Sequence, residues 1–120
     1  MVFMKRAVVI PALTISLLAG ATAGVQADSR DLPRPSRADA PSRFGTVEYS
    51  QWYAQQAAAI RYGWGPKQFS ALKWVWFHES GWNHKAVNRS SGATGIPQAL
   101  PARKMRTHGS DYRTNPETQI

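Results

Sequence analysis

The sequence predicts a small, mainly α-helical domain with one short hairpin or irregular loop. Two stretches that read as helices are each framed by start and stop residues: Ser50 to Gly63, and Gly65-Pro66 to Ser80-Gly81. A turn-rich stretch follows. Gly92, Gly95 and Pro97 break it, so any strand there is an edge or a short piece. Pro101 then opens a further short helix through Met105, which Gly109 ends.

Ahead of these elements, residues 1–27 read as an export signal. Lys5 and Arg6 give a basic start, Ala7 to Leu18 is almost wholly apolar, and Val25-Gln26-Ala27 places small residues before Asp28, as a signal peptidase requires. The apolar run is short for a membrane span, which takes about 20 residues, and Pro11 interrupts it. The mature protein is therefore expected to be secreted or wall-associated, with no stable span once the signal is cleaved. It contains no cysteine, so disulfides, thiol catalysis and cysteine-ligated metals are excluded. The formal charge of +8 stays clearly positive after Lys5 and Arg6 are removed, and anionic polymers are the natural partners of such a surface.

Residues 28–48 are rich in Pro, Arg, Ser, Asp and Ala and poor in large apolar side chains apart from Leu32 and Phe44. Such a composition buries too little surface to offset its ordering entropy, and a flexible linker is expected. The folded domain is assigned to residues 49–120. Within it, Ser50 is the expected cap of a helix through Ala54, Ala57, Ala58 and Ile60 to Tyr62. Pro66 fits the first turn of a second helix, from about Lys67 to Glu79.

Thr114-Asn115-Pro116-Glu117 is another helix-start signal, with Glu117 placed to bond back to the cap. Only Thr118, Gln119 and Ile120 follow it, so the domain is expected to lack its C-terminal part. Apolar side chains such as Ile96, Leu100 and Met105 are then expected to lack some of their covering surface.

Glu79 is the residue that suggests chemistry. At about 100° per residue it projects between Leu72 and Val75, inside the arc formed by Phe69, Leu72, Val75 and Trp76. It also ends the helix, where the backbone dipole disfavours negative charge. Both effects favour a protonated carboxyl, as a general acid working near neutral pH requires. The other acids of the region, Glu48, Asp111 and Glu117, lie outside any aromatic setting.

The run from Trp74 to Ile120 resembles the secreted lytic transglycosylases of the lysozyme-like superfamily, especially a small actinobacterial type related to resuscitation-promoting factors. The shared features begin with Glu79-Ser80 ending an aromatic helix, Trp82-Asn83 after it, and Ala86 with Asn88. They continue through Ser90-Ser91-Gly92-Ala93, Gly95-Ile96-Pro97-Gln98-Ala99-Leu100-Pro101, Lys104-Met105, Gly109, Asp111, Thr114-Asn115-Pro116 and Gln119-Ile120. Ala102 and Arg103 depart from the pattern, standing where a glycine and a small polar residue are expected. Members of the family continue past the Gln-Ile pair into a Trp-Gly-containing helix and a Tyr-Gly end, which this chain does not have.

The resemblance implies an α+β lysozyme-like fold with a loop or hairpin lining a glycan cleft, and cleavage of the MurNAc-GlcNAc bond of peptidoglycan. Glu79 would protonate the leaving oxygen and later deprotonate the muramic C6 hydroxyl, giving a 1,6-anhydro product. One acid suffices where the substrate's N-acetyl group assists at the anomeric carbon. Ser91 and Gln98 match positions on the loop lining the cleft and would orient the acetamido chain. Asn88 either does likewise or caps a turn. Trp82 and Trp76 offer flat faces to sugar rings or fill the core; Trp76 shares the arc of Leu72 and is assigned to the core, whereas Trp82 remains a candidate sugar platform.

No cofactor is expected, and no metal: His78, His84 and His108 fit none of the common zinc spacings. His78 points away from Glu79's face and is expected at the surface. Glycan strands of peptidoglycan are the expected partner, with anionic wall polymers beside them; nucleic acid is not expected, and the protein should be a monomer. Two alternatives stay open: a non-catalytic peptidoglycan-binding or signalling module, and a cationic cell-surface-binding protein acting through charge and aromatics.

Overall fold

A computed structural model describes residues 32–120; the expected export signal and the first residues of the expected linker lie outside the described residues. The chain is mainly helical and almost free of strand, as its helix signals predict. It carries a 3-10 turn at Arg37–Asp39, helix α1 (Val47–Tyr62), helix α2 (Pro66–Ser80), a 3-10 segment at Ala102–His108 and a short helix α3 (Pro116–Gln119).

Helix α1 starts earlier than Ser50 suggests. Thr46 is the cap, its hydroxyl oxygen accepting from Tyr49 N at 3.1 Å, and Glu48 sits in the first turn where the dipole favours an acid. Ser50 is instead inside the helix and 1% exposed, its Oγ without a hydrogen-bond partner among the described residues. Two adjacent rows with a four-residue spacing form the buried face: Tyr49, Tyr53 and Ala57 beside Ser50, Ala54 and Ala58. Gly63, in the left-handed conformation, ends the helix as expected.

Helix α2 matches its predicted limits to within a residue, with Pro66 in the first turn and Gly81 as the left-handed cap. Its apolar arc, however, is rotated from the one the sequence suggests. Phe69, Leu72, Trp76 and Ser80 are the half-buried positions, while Trp74 (65% exposed), Val75 and Phe77 (62%) face solvent. Three residues past Trp76, Glu79 is about 60° round the helix from the inward row and is exposed.

The connection after α2 makes two successive left-handed steps, at Gly81 (φ 64°) and Trp82 (φ 61°). A non-glycine residue pays about 1–2 kcal/mol there, but the reversal swings the Trp82 ring back under α2. It is 1% exposed, its centroid 5.2 Å from Trp76 and 6.3 Å from Phe69, and its Nε1 donates to Lys73 O at 3.1 Å. Beyond it lie isolated antiparallel bridges, Val87 with Thr94 and Thr94 with Ala99. Of the two forms that the glycines and Pro97 leave open, a small hairpin or an irregular loop, the structure shows the loop.

Packing divides among three small clusters. Tyr49, Tyr53 and Ala57 form one; Ala54, Trp82 and Ile96 form another; Ala102, Met105 and Tyr112 form the third. Ile120 packs against the first two. Ile96 (0% exposed) and Met105 (5%) are therefore covered, contrary to expectation, and of the three residues expected to lack cover Leu100 alone is exposed.

The described part of the expected linker is docked. Arg37 forms a two-pronged pair with Glu117, Nε to Oε1 at 2.7 Å and NH2 to Oε2 at 3.0 Å, and lies 4.5 Å from the centroid of Phe44. Phe44 meets the edge of Tyr49, whose hydroxyl donates to the same Glu117 carboxylate, and Arg61 Nε donates to Pro33 O. Composition weighs apolar area, whereas these contacts are ionic and aromatic, which is why low hydrophobicity gave the wrong expectation here. Glu117 bonds to these partners rather than back to its own cap; Asn115 supplies the cap by accepting from Glu117 N at 2.9 Å.

Candidate functional site

Ser80 fixes the geometry around Glu79. Its hydroxyl donates to Ile96 O at 2.7 Å, joining the C-terminal end of α2 to the 95–98 turn. Glu79, the preceding residue, thus stands on a helix end that is anchored to the glycine-rich loop while its own side chain is open to solvent. The expectation that it lies within the buried apolar face does not hold. Ser80 takes the inward position instead, because the chain's reversal at Gly81 and Trp82 pulls that side of the helix toward the loop.

The other candidates serve mainly to shape the loop. Asn88 Oδ1 accepts from Ser90 N (3.0 Å), Ser90 Oγ (2.8 Å) and Ser91 N (3.2 Å), the pattern of a turn cap. Ser91 is exposed and its Oγ accepts from Ala93 N at 3.2 Å. Gln98, half-buried with φ 52°, donates from Nε2 to Gly95 O at 3.0 Å and Ala86 O at 3.4 Å. The buried indole of Trp82 presents no face to a ligand; the sugar-platform reading is corrected to a core role, because its whole ring is covered by α2 and Ile96. His78 is exposed as expected, its ring tilted 34° against Trp74 with centroids 4.0 Å apart.

A residue that the chemistry-led reading passed over holds the arrangement together. Gln119 is 7% exposed; its Oε1 accepts from Ile96 N at 2.8 Å, and its Nε2 donates to His84 O (2.9 Å) and Tyr112 O (2.8 Å). A Cβ on Gly95 would lie 2.5 Å from that Oε1, and Gly95 also has φ +79°, so glycine is required there on two counts. The Gln119-Ile120 pair was visible as a motif, but nothing in the sequence tells that its amide faces backbone groups of three separate segments.

The surface hollows are shallow. One between α1 and α2 is lined by Gln51, Ser70, Lys73, Trp74 and Phe77. Another is lined by Ser91 together with Arg103, Arg106 and Arg113, and Glu79 lines neither. Among the described residues no group of three His, Asp or Glu side chains gathers to hold a metal, and no helix is long and apolar enough to cross a membrane.

The titrating groups with a clear shift belong to the framework. Burial alone would raise the Glu117 carboxyl, but the hydrogen bonds from Arg37 and Tyr49 outweigh it and hold it below the usual range. Hydrogen bonds from Thr118 and Asn115 lower Asp111, and burial lowers His84. A group depressed in the folded state contributes stability that is present above its unfolded value and lost as pH falls through the folded one. The protein is therefore expected to lose stability below about pH 6.5 as His84 is forced to charge, and more steeply below about pH 4 through Glu117 and Asp111. Urea midpoints measured against pH check this, and Glu117→Gln should give a shallower loss in the carboxylate range; an unchanged acid limb in that variant would refute the role of the Arg37 pair.

No family model matches the chain, and no curated protein or solved structure matches it.

Proposed function

We propose that the protein is an exported lytic transglycosylase of lysozyme-like ancestry, cleaving the MurNAc-GlcNAc bond of peptidoglycan with Glu79 as general acid and then general base. The observation that carries this reading is the 2.7 Å bond from Ser80 Oγ to Ile96 O, which fastens the helix end bearing Glu79 to the loop bearing Gln98. Acid and loop then share one rigid junction, as positioning a glycosidic oxygen against a carboxyl requires. Glu79 is open in the free protein, so the glycan itself must exclude water from the carboxyl.

The chemistry follows from the acids present. Protonation of the leaving oxygen by Glu79 breaks the anomeric C–O bond, the 2-acetamido group covers the developing positive charge, and the C6 hydroxyl closes on the same carbon as Glu79 takes back its proton. No second carboxylate is needed for this course. Asp111 and Glu117 are unsuited to be one, since both are held by hydrogen bonds within the framework.

Product analysis tests the reading. Digests of purified peptidoglycan are expected to carry 1,6-anhydromuramic ends, one water lighter than hydrolytic ends by mass spectrometry. Mainly reducing muramic ends would identify a hydrolase, and no release at all would remove the enzyme reading. The solvent exposure of Glu79 favours one second reading, a non-catalytic glycan-binding module, which predicts sedimentation with peptidoglycan but no soluble fragments.

A further inference from the structure

We propose that the hollow between the Ser91-Gly92 turn, the Ala102–His108 segment and Tyr112-Arg113 is a binding site for phosphate groups of an anionic polymer, separate from Glu79. Three arginines, Arg103, Arg106 and Arg113, line it with no acidic residue among them. Arg103 and Arg106 lie three apart on a 3-10 segment, which has 3.0 residues per turn, so both project from the same side. Arg113 comes from a different stretch, its guanidinium 5.2 Å from the Tyr112 ring centroid.

The base beneath them is firm. Ala102, Met105 and Tyr112 form a buried cluster, so the backbone carrying all three arginines is packed. Among the described residues no carboxylate pairs with Arg103, Arg106 or Arg113. The neighbouring Asp111 lines an adjoining hollow with Arg106 and Arg113, but its oxygens accept from Thr118 Oγ1 at 2.7 Å and Asn115 Nδ2 at 2.8 Å. The Ser91 hydroxyl, whose oxygen already accepts from Ala93 N, has its proton left to donate.

Guanidinium forks match the oxygens of phosphate and carboxylate alike. Convergence from two separate stretches favours the tetrahedral group, whose oxygens point in several directions, over a planar carboxylate that one fork satisfies. Arg106 and Arg113 also line the adjoining hollow, but Asp111 lines it too, so the phosphate site is confined to the first.

The test compares the full chain with an Arg103→Ser, Arg106→Gln, Arg113→Gln variant for binding to poly(glycerol phosphate), an oligothymidylate and polyglutamate of equal charge in 0.15 M salt. The two phosphodiester arms distinguish a polyol backbone from a nucleic acid. Phosphodiester affinity is expected to fall roughly tenfold or more in the variant, while Lys67→Gln, Lys73→Gln, Lys85→Gln, with the same loss of charge, changes it less than about twofold. Polyglutamate should bind the wild type more weakly than either phosphodiester. Equal losses in the two triple variants would show a diffuse field with no site, and polyglutamate binding as tight as phosphodiester would overturn the assignment. Should the arginine variant lose its helical circular dichroism, Arg103→Ser alone, at an exposed position, is expected to weaken phosphodiester binding about two- to threefold, and no change would count against the proposal.

Discussion

Glu79→Gln is expected to abolish release of soluble glycan from peptidoglycan while leaving the thermal midpoint unchanged. The substitution keeps the size and polarity of the side chain and removes the proton, so the loss should be at least the 10²–10⁴-fold typical of general acid-base catalysis. The stability half of the prediction comes from the structure: an exposed side chain changes stability by about 0.5 kcal/mol or less when replaced conservatively. Turnover and sedimentation with peptidoglycan should be measured together. Lost release with retained binding supports Glu79 as the acid; release at near the wild-type rate rejects it; binding without release in both proteins selects the non-catalytic module.

Trp82→Ala should be among the most damaging single changes in the fold. Trp82 leads the fully buried side chains by volume, it joins Phe69 and Trp76 to Ile96, and its Nε1 ties it to Lys73 O. Truncating a buried Trp to Ala costs about 3–5 kcal/mol, against about 5–15 kcal/mol for a whole domain. Urea unfolding followed by circular dichroism should show a large drop in midpoint or outright loss of the transition. Trp74→Ala, at a position 65% exposed, should change stability by about 0.5 kcal/mol or less. A reversed order would mean that Trp74 rather than Trp82 is the covered ring.

What could be read directly from the sequence was local. Gly63, Pro66 and Gly81 set the ends of α1 and α2 because their backbone preferences act over neighbouring residues, and Asn115-Pro116 started a helix for the same reason. Pro97 and the glycines around it broke the loop into isolated bridges.

Orientation was decided by tertiary structure. The inward side of α2 depends on where the chain goes next, and the left-handed steps at Gly81 and Trp82 rotated it so that Ser80 faced the loop and Glu79 the solvent. Helical periodicity fixes the angles between side chains but not the direction of the arc's centre when apolar residues surround the helix, as Trp74, Val75 and Phe77 do here. The docking of Arg37 onto Glu117, 80 residues away, and the three bonds of Gln119 depend on pairings between distant groups. Composition sums apolar area and carries no trace of such pairings, so the sequence by itself determined the helices and the candidate acid, while the fold decided which groups the acid and the loop face.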